Sequence, residues 1–115
     1  MVSFKPIPKK LLIHEVSYIP PEKEGDGSIG SKTDQETKII KRVRFNPNYK
    51  LIKKPGNVES FTTGVLFIDS VNSAPFISPA EGGTILFKGR KLKVLECKEA
   101  YTDQAEVHHL EVMLQ

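Results

Sequence analysis

Three histidines and one cysteine are the residues of this chain best suited to metal or nucleophile chemistry. His108 and His109 are adjacent, while His14 and Cys97 lie far from them in sequence. A shared zinc ion wants ligand spacings such as C-x-x-C or H-x-x-x-H, and neither occurs. Adjacent strand residues point to opposite faces, so the pair is expected to be structural or superficial. Ser70 or Ser73 with His108 and Asp69 could be drawn as a hydrolytic triad, but no G-x-S-x-G elbow accompanies them. Gly82-Gly83 lacks the following lysine and helix of a phosphate loop. The acids Glu22, Glu24, Asp26 and Asp34 do not have calcium-loop spacing. Cys97 falls late in a strand pattern and reads as a small buried hydrophobe. The expectation is a protein that is not an enzyme and needs no cofactor.

A different chemistry is written in the charge order. From Thr37 to Asn57 there is no acidic residue, while Lys38, Lys41, Arg42, Arg44, Lys50, Lys53 and Lys54 are cationic. Acids gather on either side, at Glu22 to Glu36 and Glu96 to Glu111. Such a basic middle suits contact with phosphates, which needs no base recognition. Lys38, Arg42 and Arg44 are the candidates on a basic strand face. Phe45, Tyr49 and Phe61 are too dispersed to form a base-stacking ladder.

The elements that must hold these charges are strands. Pro6 and Pro8 mark residues 1–10 as an extended arm. Alternation of Leu12, His14, Val16 and Tyr18 predicts a strand over Leu11 to Tyr18, ended by Pro20-Pro21. A polar, Gly-bearing hairpin connection follows from Ile19 to Gln35. The second strand spans about Thr37 to Phe45, with Ile39, Lys41, Val43 and Phe45 on one face and Ile40, Arg42 and Arg44 on the other. Asn46 to Phe61 reads as a long loop or a projecting hairpin with a Pro55-Gly56-Asn57 turn. Thr63 to Asp69 is a continuous apolar strand, expected to be buried on both sides. Ser70 to Gly82 is a long connection. A closing meander then runs through Thr84 to Phe87, a tight turn at Lys88-Gly89-Arg90, a strand through Leu92, Val94 and Leu95, a polar loop at Tyr101 to Glu106 and a last strand ending at Gln115.

At 115 residues, 38% hydrophobic and 27% charged, with net charge +3, the chain is sized for one domain with a real core. No apolar stretch approaches the roughly 20 residues of a membrane span. The opening MVSFKPIPKKLLIHEV has neither a long apolar region nor a cleavage site, so no membrane partner and no secretion are expected. The single cysteine excludes an internal disulfide and fits a reducing compartment. The expected fold is all-β: a small single-domain β-barrel over residues 1–115 with long projecting loops at 46–61 and 70–82.

The ordered stretches PIPKKLLIHEVSY, VRFNPN and GVLFIDSVNSAPFISPAEGGTILFKGRKLKVLECKEAYTDQAEVHHLEVML cover nearly the whole chain. In this order they resemble the minor capsid proteins of long-tailed phages and prophages of Gram-positive bacteria. The layout is also similar to that of head-closure (stopper) proteins of the head-to-tail connector, with Val43 to Pro47 and the turn at Phe87 to Lys91 as local signatures. The resemblance implies a ring subunit in the virion, assembled in the host cytoplasm. It would meet portal and adaptor proteins above and tail-completion or tail proteins below, and touch packaged double-stranded DNA without sequence preference. It also implies that the segment from Asn48 to Ser60 projects into the channel. That segment carries Lys50, Lys53 and Lys54, with Tyr49, Leu51 and Ile52 as its apolar surface. Two alternatives differ in kind: a free nucleic-acid-binding barrel using Lys38, Arg42 and Arg44, or another minor virion component such as a tail-completion protein.

Overall fold

The computed structural model describes residues 5–21, 37–54 and 58–115, and the side chains of these except 52–54 and 58–60. Its strands are β1 (His14–Ile19), β2 (Lys38–Pro47), β3 (Leu51–Lys54), β4 (Val58–Phe61), β5 (Gly64–Asp69), β6 (Thr84–Phe87), β7 (Arg90–Tyr101) and β8 (Val107–Leu114). Six of them close a barrel in the order β1-β2-β5-β8-β7-β6, with every neighbouring pair antiparallel. Closure removes the exposed strand edges that a small open sheet would present. β3 and β4 form a separate two-stranded ribbon. The all-β barrel expected from the sequence is the fold observed.

The alternation of apolar residues fills the barrel. Val16 and Tyr18 of β1, Ile40, Val43 and Phe45 of β2, Leu66 and Ile68 of β5 and Leu110, Val112 and Leu114 of β8 all point inward. Ile85, Phe87, Leu92 and Val94 complete this core from β6 and β7. Each such side chain contributes about 1.5–3 kcal/mol when fully buried. β5 is apolar on both sides because Val65 packs outside the barrel with Leu95 and Met113, against Phe67. Gly64 must lack a side chain: a Cβ there would lie 2.3 Å from the Phe45 ring.

Several boundaries differ from the sequence expectation. Residues 9–11 form a single 3-10 turn, so β1 begins at His14 and not at Leu11. β2 runs on through Asn46 and Pro47, whose positions pair with Val65 and Gly64. A proline is tolerated there because it is the last rung. The interval 46–61 is mostly a ribbon, while 70–82 is the irregular connection expected. The connection predicted over Ile19 to Gln35, with its four acids, lies from residue 22 onward outside the described residues.

The main correction concerns the faces of β2. His14 pairs with Val43 but Glu15 pairs with Lys41, so Arg42 is an extra residue in the strand. Its φ of 61° lies in the left-handed region, which costs a non-glycine residue roughly 1–2 kcal/mol. The bulge shifts the alternation by one. Ile40, Val43 and Phe45 therefore share the buried side, and Ile39 is exposed. Residues after Asp69 clasp the bulge. Ser73 Oγ donates to the Arg42 carbonyl and accepts the Asp69 N–H, and Lys41 and Ala74 exchange backbone hydrogen bonds of 2.8 and 3.1 Å.

Candidate functional site

The ribbon grows out of the β2–β5 pair. Beyond the Pro47–Gly64 rung, Asn48 N–H donates to the Thr63 carbonyl and Thr62 N–H to the Lys50 carbonyl. Thr62, 1% exposed, locks this root: its hydroxyl donates to the Asn48 carbonyl at 2.7 Å and accepts the Lys50 N–H at 3.0 Å. The rungs above are Leu51–Phe61, Ile52–Ser60, Lys53–Glu59 and Lys54–Val58. Tyr49, Leu51 and Phe61 stand exposed around the root, Tyr49 by 78% and Phe61 by 63%. A lone two-stranded ribbon is marginally stable in water, so this one depends on its root. Glu59 lies in register with Lys53, a negative charge that the acid-free stretch ending at Asn57 did not include.

The proposed basic strand face does not assemble. Lys38 opens β2 opposite Tyr18, Arg42 sits in the bulge, and Arg44 is half-buried nearer the ribbon. Arg44 is also committed: its Nε donates to Asn46 Oδ1 at 2.9 Å and a terminal nitrogen to the Leu11 carbonyl at 3.1 Å. The bulge is the physical reason these residues separate, and nothing in simple alternation announces it.

Beneath the ribbon three rings close the barrel mouth. Phe87 packs edge-on to His14 at 4.9 Å and against Phe45 at 4.8 Å. His14 Nδ1 accepts the Phe45 N–H at 3.0 Å, which requires an unprotonated nitrogen. Burial, then the Lys88 and Arg44 charges, hold its imidazole below the ordinary value of 6.5.

Away from the ribbon, Asp69 is fully buried and organises the arm. Its Oδ1 accepts the Ile7 N–H at 2.9 Å, and its Oδ2 accepts the N–H groups of Val71 and Asn72 at 2.9 and 2.7 Å. Asn72 Nδ2 returns a bond to the Ile7 carbonyl. Charge-assisted bonds of this kind repay burial of the carboxylate. They also use it up, so Asp69, like Ser73, is a structural group and no triad forms. The sequence reading missed this role, because a carboxylate at a strand end looks the same whether it faces water or a turn.

The histidine expectation needs revision in one respect. The His108 and His109 rings turn towards each other despite their strand positions, with Nδ1 atoms 2.9 Å apart. Each ring's other nitrogen has its own contact: His108 Nε2 with the Lys5 carbonyl at 2.6 Å and His109 Nε2 with Glu111 at 2.9 Å. Among the described residues no group of three or more His, Cys, Asp or Glu is placed to hold a metal ion. Cys97 is partly buried against the core, and burial followed by Glu99 raises its thiol pKa, which disfavours the reactive thiolate. Among the described residues no helix is long and apolar enough to cross a membrane.

Comparison with known proteins adds the family. The family model described as minor capsid protein matches residues 8–114. No curated protein and no solved structure matches the chain. With the match spanning nearly all of its length, the chain belongs to the minor capsid protein family and is a structural component of a virion.

Proposed function

We propose that this minor capsid protein is a head-closure subunit of the head-to-tail connector of a long-tailed phage. Copies form a ring below the portal and adaptor, retain packaged double-stranded DNA, and offer a docking surface to tail-completion or tail proteins. Assembly takes place in the host cytoplasm. The observation that carries the reading is the β3–β4 ribbon standing off a closed barrel. A ring repeats Lys50, Lys53 and Lys54 once per subunit, turning a modest local charge into a cationic collar. The apolar residues at the root, Tyr49, Leu51 and Phe61, suit packing against a neighbouring copy, with Ile52 one rung further out. An isolated chain can be monomeric and order its ribbon contacts on docking.

The test is charge reversal at Lys50, Lys53 and Lys54 together, each to Glu. The ribbon lies outside the core, so the variant folds and enters particles, but filled heads lose DNA. Wild-type retention by particles containing the variant would remove the collar from the account. Sizing chromatography with portal–adaptor complexes tests the placement: a chain that never joins them is not a connector subunit. The free nucleic-acid-binding reading is weakened by the separation of Lys38, Arg42 and Arg44.

A further inference from the structure

Lys88 lies in the two-residue turn between β6 and β7, and Arg90 opens β7 directly after it. Lys88 and Gly89 have φ of 50° and 80°, the two-residue type I′ geometry that joins β6 to β7. Strand direction puts this turn at the same end of the barrel as the ribbon root. β2 ends and β5 begins at the root, at Pro47 and Gly64, while β1 starts at the same end of the barrel with His14. β6 reaches that end at Phe87, whose ring touches those of His14 and Phe45. Lys88 Nζ sits 5.4 Å above the Phe87 ring. Lys88 and Arg44 both act on His14 in this aromatic floor, Arg90 pairs in register with Phe87, and Lys50 lies at the ribbon root on the same end of the barrel; Lys50, Lys88 and Arg90 are exposed. Glu15, one residue up β1, is set in register opposite Lys41. At the far end, the tip between β7 and β8 exposes Glu99, Asp103 and Glu106 beside Lys98.

We infer that the barrel meets double-stranded DNA end-on through this basic mouth, with Lys88 and Arg90 contacting phosphates beside the ribbon and the acidic tip turned away. The inference rests on the connector reading for its choice of DNA as partner. It adds an orientation and two residues from the closing meander. The physical basis is counterion release: each phosphate neutralised steepens the salt dependence of binding by about 0.9 in the log–log slope.

The experiment uses the full chain and a random-sequence duplex, titrated between about 50 and 200 mM salt. Lys88→Asn with Arg90→Gln removes both charges, and Asn tolerates the positive φ at position 88. The slope is expected to become shallower by about 1.8, that is two contacts at about 0.9 each. Arg90→Gln alone leaves the turn residues intact and is expected to lower it by about 0.9. Neutralising Glu99, Asp103 and Glu106 together leaves the slope unchanged. An unaltered slope in the Arg90 variant, an equal change from the acidic-tip variant, or no duplex binding by the wild type at about 50 mM salt would overturn the inference. Absence of the chain from particle necks would instead sink the connector reading and leave these slopes as they are.

Discussion

The barrel and the ribbon are built from the same kind of strand but held by different forces. In the barrel, side chains from six strands interlock, and Ile40, Leu66, Ile68 and Val112 are completely buried. In the ribbon, two four-residue strands pair only with each other, and the side chains around their root lie largely in solvent. The difference teaches that the packing that stabilises the fold is concentrated in the barrel and not in the ribbon. The barrel can lose surface charge without unfolding, and the ribbon can change its contacts without disturbing the core.

The sharpest way to break this comparison is truncation in each region. Leu66→Ala removes a fully buried side chain from the barrel and is expected to cost about 2–5 kcal/mol. Phe61→Ala at the exposed ribbon root is expected to stay within about 0.5 kcal/mol. Urea unfolding of both variants measures the contrast, and equal losses would mean the ribbon is part of the cooperative unit.

Asp69→Ala comes next in size. It strands the N–H groups of Ile7, Val71 and Asn72, and a loss of about 2–4 kcal/mol is expected. Hydrogen exchange sharpens the result: the Ile7 amide should lose protection while the Lys50 amide, bonded to Thr62 in the ribbon root, keeps its own. Concerted loss at both sites would show that the arm and the ribbon are coupled.

The smallest effect is the pH dependence of His14. Its folded pKa is depressed below 6.5, so the unfolded chain takes up the proton first. The stability it contributes is complete above about pH 6.5 and is lost as pH falls through the depressed folded value. Protonation also removes the acceptor for the Phe45 N–H. His14→Gln should flatten the stability curve below pH 6.5 relative to the wild type. An unchanged curve would place the acid sensitivity elsewhere.

Much of the scaffold was legible because strand periodicity is a local signal. The inward pair Val16 and Tyr18, the doubly buried β5 and the Lys88-Gly89 turn each follow from a few consecutive residues. Features set by distant partners were not. The bulge at Arg42 is held by Ser73, some thirty positions away, and it exchanged the expected places of Ile39 and Ile40 while Val43 and Phe45 kept theirs. Asp69 acquires its role from Ile7 across a separation of 62 residues. That Lys88 of the β6–β7 turn acts on His14 follows only from barrel closure, which joins β6 to β1. The basic middle was visible as composition, yet its geometry divided it between a committed Arg44 and a projecting ribbon.

The most direct measurement of the central claim is an image of the neck of a filled particle, resolved well enough to trace this chain. The account predicts a ring of barrels in the neck with each β3–β4 ribbon and Lys88–Gly89 turn directed at the DNA. Barrels located elsewhere in the virion, or placed in the neck with the 102–106 tip against the DNA, would contradict it.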